Sequence, residues 1–430
     1  MSADDWCDQS ATEQARAMAR GDLTPAELMQ AQSRRVKQKN PVINAFTELA
    51  PLAQAPIPCV DSALAGTSFA VKDNIDVAGM CTHAGLRALN PAPAEQDALV
   101  VKRLRDAGLQ FSGRLNMAPM AIGASTRNPD FGDCYHPWQA GVSAGGSSGG
   151  SASAVAAGLV SLSLGTDTMG SVRLPAAYCG IVGFKPSWGR IPTEGVWPLS
   201  RWLDHVGILA RSVEDAEAAY RVLAAPSALV GSTQKDHSSV LAMPGNLDSL
   251  GLDPSVRRSF TAAIQTLQAS GLSLRSVDLT DYLFGPVRRA GLQLCEAELL
   301  ARLGPVYPQK RDQFPPTLCE MLDYIDKRSA ADLTGALNRL LAARQWLDNL
   351  LHDIDYLVLP TTPHLAPLMS EPDPINSADL TTLANVMGAP AISLPLPADA
   401  GGLSAGLQII GHRHQDESLL AMAGLLARQL

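Results

Sequence analysis

Between Ala144 and Ser171 the chain reads AGGSSGGSASAVAAGLVSLSLGTDTMGS, a run of glycine, alanine and serine that gives way to an apolar segment. Glycine loses more backbone freedom on folding than any other residue. A chain that concentrates it here therefore has a backbone held in unusual dihedrals or closely approached by something else. The small side chains from about Ser148 to Ala157 predict a helix that packs tightly on its neighbours near the middle of the molecule. The apolar residues after it predict a strand that stops at Gly165.

The flanking sequence alternates helix and strand signals. Thr24, Pro25 and Glu27 form a capping box with proline at the first helical position, which predicts a helix from Pro25 into the basic turn Arg34 to Lys39. INAFTEL reads as a short strand and TSFAVKDNIDVAG as a strand giving way to a loop, and DALVVKRLRDAGLQFSGRL reads as a helix ending at Gly108 that feeds another strand. Ser212 and Asp215 open a further helix. Strand signals return at DYLVLPTTP, GAPAISLPL and GLQII, before a final helix. The stretch from about 230 to 350 is more polar and predicted mostly helical. Because α/β patterning lies on both sides of it, the expectation is a single α/β domain over residues 1–430. That domain has a mixed sheet, N-terminal helices over about 1–60 and a helical excursion over about 230–350.

Charge excludes one class of partner. With a net charge of -8 and no basic stripe to offset it, the 430-residue chain lacks the electrostatic footprint of a nucleic-acid binder. The seven cysteines form no C-x-x-C pair and no histidine cluster stands at ligand spacing, so no metal site is expected and the thiols read as reduced, in a cytoplasmic protein. The acidic, polar opening is unlike a secretory leader, and no apolar run reaches bilayer length, so no membrane association is expected.

The serines admit several chemistries. A phosphate-binding P-loop needs lysine directly after its last glycine, and AGGSSGGSAS has none. Gly145 to Gly149 match the G-x-S-x-G nucleophile elbow, but the residues before them are turn-like where the elbow needs a strand. No motif places His237, His352, His364, His412 or His414 as its partner. An S-x-x-K pair at Ser232 and Lys235 lacks its companion motifs and reads as surface. The remaining reading joins Lys72 to the serines. A serine hydroxyl needs a neighbouring base, and a lysine serves if desolvation holds it neutral. Lys72 follows the apolar SFAV, and a second serine can bridge lysine to nucleophile because a hydroxyl both donates and accepts.

The span from Ala144 to Pro192, together with AVKDNIDVAG, GRLNMAPMAIGASTRNPDFG and GLSAGLQIIG, strongly resembles the amidase signature family of serine hydrolases, and the likeness is weak only between about 230 and 350. The resemblance implies the fold of that family, a central mixed sheet flanked by helices on both faces. It assigns Ser171 as nucleophile, Ser147 as a bridging serine with a cis peptide bond, and Lys72 as base. It implies an oxyanion hole from the amides of Thr168, Met169, Gly170 and Ser171. Met169 departs from the family, in which glycine is usual, and is expected either to narrow the acyl pocket or to change the backbone dihedrals of the turn. Asp167 and Arg173 are expected to hold the nucleophile turn, and Ser148 to cap the next helix or hydrogen-bond within the site. Met117 and Ser125 are expected to help line the substrate pocket. Cys179 reads as a small buried hydrophobe.

Hydrolysis through an acyl-enzyme needs no cofactor. The expected partners are a small amide and water. The favoured substrate is a small soluble carboxamide or urea-type amide, the alternatives being glutamine hydrolysis as one component of a tRNA-dependent amidotransferase and a catalytically degenerate binding protein. A homodimer is compatible with all three.

Overall fold

A computed structural model describes residues 1–51, 62–225 and 239–430. Cys59, Ser232, Lys235 and His237 lie outside the described residues, so the S-x-x-K pair has no structural account. Among the described residues eleven strands form one sheet. They are β1 (Phe46–Leu49), β2 (Ser68–Lys72), β3 (Gln110–Leu115), β4 (Leu162–Asp167), β5 (Val182–Lys185), β6 (His205–Ala210), β7 (Leu241–Pro244), β8 (Leu274–Val277), β9 (Tyr356–Pro360), β10 (Ala391–Pro395) and β11 (Gly406–Ile410). Their order across the sheet is β1-β3-β2-β4-β6-β5-β10-β11-β9-β7-β8. β2 runs parallel to β3 and β4, and β7 parallel to β8 and β9, while the strands between pair antiparallel. The sheet is mixed, as expected.

Side chains alternate across the pleat and build a core on each face. Phe69, Val71, Leu162, Leu164, Ile208, Ile392 and Ile409 meet the helices Leu99–Asp106, Val213–Leu223, Pro254–Ala269 and Asp416–Ala427. On the other face Ala70 and Leu209 meet the small-residue helix Gly149–Ala156 and its neighbour Arg173–Cys179. Leu357, Leu359, Ala391 and Ile410 meet the helices Phe284–Leu303 and Ala330–Leu350. Among the described residues no helix is long and apolar enough to cross a membrane.

Local signals set several boundaries. Thr24 and Glu27 close the capping box of helix Pro25–Ile43, which continues past Lys39 to an αL residue, Asn44. Ser212 caps Val213–Leu223 through Asp215 N–H. Two expectations are corrected. The stretch predicted helical also contributes β7 and β8, which extend the sheet beyond β9. β4 does not stop at Gly165 but runs through it to Asp167, with Gly165 opposite Gly207. A Cβ there would lie 2.8 Å from Ser148 Oγ, so this glycine serves a close approach, not a chain break.

Asp215 shows how the N-terminal helices are fastened. Its fully buried carboxylate accepts Ala11 N–H at 3.0 Å and both Thr12 N–H and Oγ1 at 2.8 Å. Asp215→Ala leaves those donors without acceptors and is expected to lower stability by about 2 to 4 kcal/mol, measured by urea unfolding. A loss within error of zero would show that the N-terminal helices dock by apolar packing alone.

Candidate active site

The site forms at the C-terminal ends of parallel β2 and β4, the usual location of function on an α/β sheet. Lys72 ends β2 and is fully buried. Its Nζ lies 2.7 Å from Ser147 Oγ and 2.9 Å from Thr166 Oγ1. Asn74 Nδ2 also donates to Thr166 Oγ1, at 3.1 Å. Burial lowers the Lys72 ammonium from 10.5 to about 7, against the opposing pull of Asp204 and Asp167. A buried amine of this kind is a usable base at neutral pH.

Ser147 follows a cis peptide bond from Gly146. A Cβ on Gly146 would lie 2.5 Å from the Ser125 backbone, so only glycine lets these two segments meet. The partner of Ser147 is a lysine and no strand directly precedes it, which removes the nucleophile-elbow alternative. Ser148 does not cap the helix after it. Its Oγ donates to the Thr166 carbonyl at 3.2 Å, and Thr126 Oγ1 accepts Gly149 N–H instead.

The turn from Thr168 to Ser171 leaves β4 under tight control. Asp167 and Arg173 are both fully buried and pair at 2.9 Å. Burial disfavours the Asp167 carboxylate, but the Arg173 guanidinium and the Asn385 amide outweigh it and hold its pKa below the usual range. Asp167 Oδ1 accepts Gly170 N–H at 2.8 Å, so this amide is spent within the turn and is not free for an acyl oxygen, in contrast to the expectation. Among the described residues the Met169 and Ser171 amides have no acceptor. Gly170 has φ 132°, and a Cβ there would collide with Thr381 Oγ1, which donates to the Met169 carbonyl at 2.6 Å.

Thr168, Met169, Gly170 and Ser171 line a cavity of about 230 Å³ together with Gly146. Its other walls are largely apolar and include Ile122, Leu174, Leu199, Leu292, Met321 and Ile375. Two charged side chains reach it, each already paired: Arg288 with Asp379 at 2.6 Å and Asp373 with Arg127 at 3.3 Å. The excursion helix Phe284–Leu303 supplies Arg288, Leu292 and Cys295. Burial holds the Cys295 thiol well above its ordinary pKa, so it is inert, as is buried Cys179.

Met117 and Ser125 stand outside this lining. Met117 is packed in a core with Leu86 and Met120, its carbonyl accepting Asn128 Nδ2, while Ser125 sits behind Gly146 and donates to Asp373 Oδ2 at 2.7 Å. Residues 121–124 take the place expected for them. Sequence reasoning missed Thr166, whose strand position was hidden by the expected stop at Gly165. It also missed Asp373 and Arg288, for which no motif gives a signal.

A family model described as Amidase matches residues 27–420. The chain belongs to the amidase signature family. It is an amidase acting on C–N bonds, with the family's α/β fold. The chain is 33% identical to the A subunit of glutamyl-tRNA(Gln) amidotransferase from Anaeromyxobacter sp. (strain K), over 100% of this chain and 97% of that one. Its structure resembles the crystal structure of an amidase at a TM-score of 0.88, 32% identity and coverage of 98% and 100%. It also resembles the A subunit of glutamyl-tRNA(Gln) amidotransferase from Thermotoga maritima at a TM-score of 0.79, 26% identity and coverage of 92% and 90%.

Met169, expected to differ from the family's usual glycine, both lines the cavity and packs on the excursion helix. A Cβ on Gly291 would lie 2.8 Å from Met169 Sδ. Met169→Gly is expected to raise kcat/KM for benzamide relative to acetamide by roughly tenfold, since pocket methylenes are worth about 1 to 3 kcal/mol each. Gly291→Ala, which pushes the sulfur off the helix, should shift the same ratio the other way. A ratio unchanged in both variants would place the Met169 side chain outside the acyl subsite.

Proposed function

We propose that this amidase hydrolyses primary carboxamides through an acyl-enzyme on Ser171, with Ser147 and Lys72 as the proton relay. The observation that carries the reading is buried Lys72, its pKa lowered by burial to about 7, 2.7 Å from Ser147 Oγ and next to a cavity lined by Ser171. Neutral Lys72 takes the Ser147 proton while Ser147 takes that of Ser171. Ser171 Oγ then bonds to the carbonyl carbon, and the negative charge that develops on oxygen is met by the Met169 and Ser171 amides. The C–N bond breaks as the proton returns through Ser147 to the leaving nitrogen, and water releases the acid by the same relay.

The comparisons favour glutamine as the amide donor over the small carboxamide expected from the sequence, because curated relatives matching along nearly their whole length are named as the A subunit of glutamyl-tRNA(Gln) amidotransferase. In that reading the chain works beside further subunits. A second reading, a hydrolase of small uncharged carboxamides or urea-type amides, is supported by the cavity itself. Its walls are largely apolar, and its two charged residues are already neutralised by Asp379 and Arg127. Ammonia release from glutamine, acetamide, butyramide, benzamide and a urea derivative separates the readings. Glutamine turned over best supports the first, and a glutamine rate at background beside rapid turnover of uncharged amides supports the second.

A fluorophosphonate is expected to label Ser171, with the adduct located by peptide mass, and Ser171→Ala should lose labelling and turnover without losing the fold. An adduct on Ser147 with Ser171 unmodified would sink the assignment. Lys72 has its pKa lowered, so it is protonated and unable to accept a proton below about pH 7 and becomes competent above it. The rate should therefore rise through that range to a plateau. Lys72→Ala is expected to abolish this limb and to lose most activity near neutrality, with partial recovery at high pH where hydroxide substitutes. A limb identical to wild type in Lys72→Ala would show that another group controls proton transfer.

A further inference from the structure

A second cavity of about 660 Å³ shares no lining residue with the first, yet Thr166 and Asp204 lie in its wall. Thr166 is the hydroxyl that accepts from Lys72. Asp204 accepts Thr168 Oγ1 at 2.6 Å on one oxygen, and the N–H groups of Leu199 and Ser200 at 2.8 and 3.1 Å on the other. Thr168 and Leu199 both line the substrate cavity. One carboxylate thus clips the nucleophile turn to the facing wall.

Charges around this carboxylate come from several segments. Lys72, at the end of β2, donates to Thr166, which shares the second cavity wall with Asp204, and the Asp204 charge opposes the loss of the Lys72 proton. Glu298 faces the carboxylate from helix Phe284–Leu303 and holds the same loop by accepting Ser200 Oγ at 2.5 Å and Arg201 N–H at 2.8 Å. From β4, Asp167 also faces Lys72 but is committed to Arg173. In the second cavity wall stand Glu194, Arg201, Arg302 and His205, the last kept neutral by burial. Among the described residues no cation lies within ion-pair distance of Asp204. Burial raises the Asp204 pKa to about 6, against the pull of its three donors, so near neutrality it is a carboxylate.

We propose that Asp204 is a positioning residue of the acyl-transfer site, holding the nucleophile turn through Thr168 and the cavity wall through Leu199 and acting on Lys72 through its negative charge. This rests on the reading of Lys72 as the base. A desolvated amine with no anion near it becomes too weak a base to serve. Asp167 pulls in the same direction but is paired with Arg173, and Asp204 exerts the larger effect.

The test is the pH dependence of Ser171 labelling by a fluorophosphonate on the full chain, which needs no knowledge of the native amide. Asp204→Asn keeps an acceptor but removes the charge. The midpoint of the labelling rate should move to lower pH by roughly one unit, as the ammonium loses its stabilising partner. Thr168→Val should leave the midpoint in place and lower the plateau by about tenfold, the equivalent of one lost buried hydrogen bond, with Thr168→Ser restoring it. A wild-type midpoint in folded Asp204→Asn, in a protein whose limb Lys72→Ala removes, overturns this proposal while leaving the base assignment standing. A limb that survives Lys72→Ala overturns both. If Asp204→Asn does not fold, the Thr168 pair decides, a Thr168→Val plateau equal to wild type overturning the role.

Discussion

The buried Asp167–Arg173 pair is the contact on which the rest of the active site depends. Asp167 ends β4, and Arg173 opens the helix after Ser171. The carboxylate takes the Gly170 and Val172 amides and the Asn385 amide. The guanidinium donates to the Thr381 carbonyl, Gln408 Oε1 and Asn385 Oδ1. Burying two charges is costly, and the cost is offset only where geometry and further hydrogen bonds satisfy the remaining atoms. Here nearly every polar atom of the pair is used. The result is a turn braced by Thr381, Asn385 and Gln408, with the Met169 and Ser171 amides without an acceptor among the described residues.

Lys72 is governed by the opposite arrangement. It gains two hydroxyl neighbours, Ser147 and Thr166, and among the described residues no contact ion pair, so burial dominates and its proton is loosely held. The same end of the sheet therefore keeps one ion pair permanently charged and one amine close to neutrality. The difference lies in what surrounds each group: charged and amide partners in one case, hydroxyls in the other.

Much of this frame is legible in the sequence. The Thr24–Glu27 and Ser212–Asp215 caps are local and announce their helices, and the lysine and serines carry a motif-level resemblance. What escapes depends on distant neighbours. Gly165 reads as a chain break because glycine usually is one, and only the approach of Ser148 explains it inside a strand. β7 and β8 are short strands in polar sequence, and β7 is held by pairing with β9, far along the chain. Met117 and Ser125 sit close to the site in sequence, yet one turns into a core and the other behind Gly146. The spent Gly170 amide and the contacts of Asp204 follow from side-chain geometry, for which residue identity gives no signal.

The partners of Arg173 have a bearing on how the protein is made. Lys72, Ser147 and Ser171 all belong to the first half of the chain and emerge early in synthesis, but the residues that satisfy the guanidinium, Thr381, Asn385 and Gln408, are among the last to arrive. β5, beside the nucleophile half of the sheet, likewise waits for β10 to cover its open edge. A nascent chain that ends before residue 381 thus carries Lys72, Ser147 and Ser171 without the three partners that satisfy Arg173 outside the Asp167 pair. The turn from Thr168 to Ser171 therefore acquires its full set of supports only with the C-terminal segments.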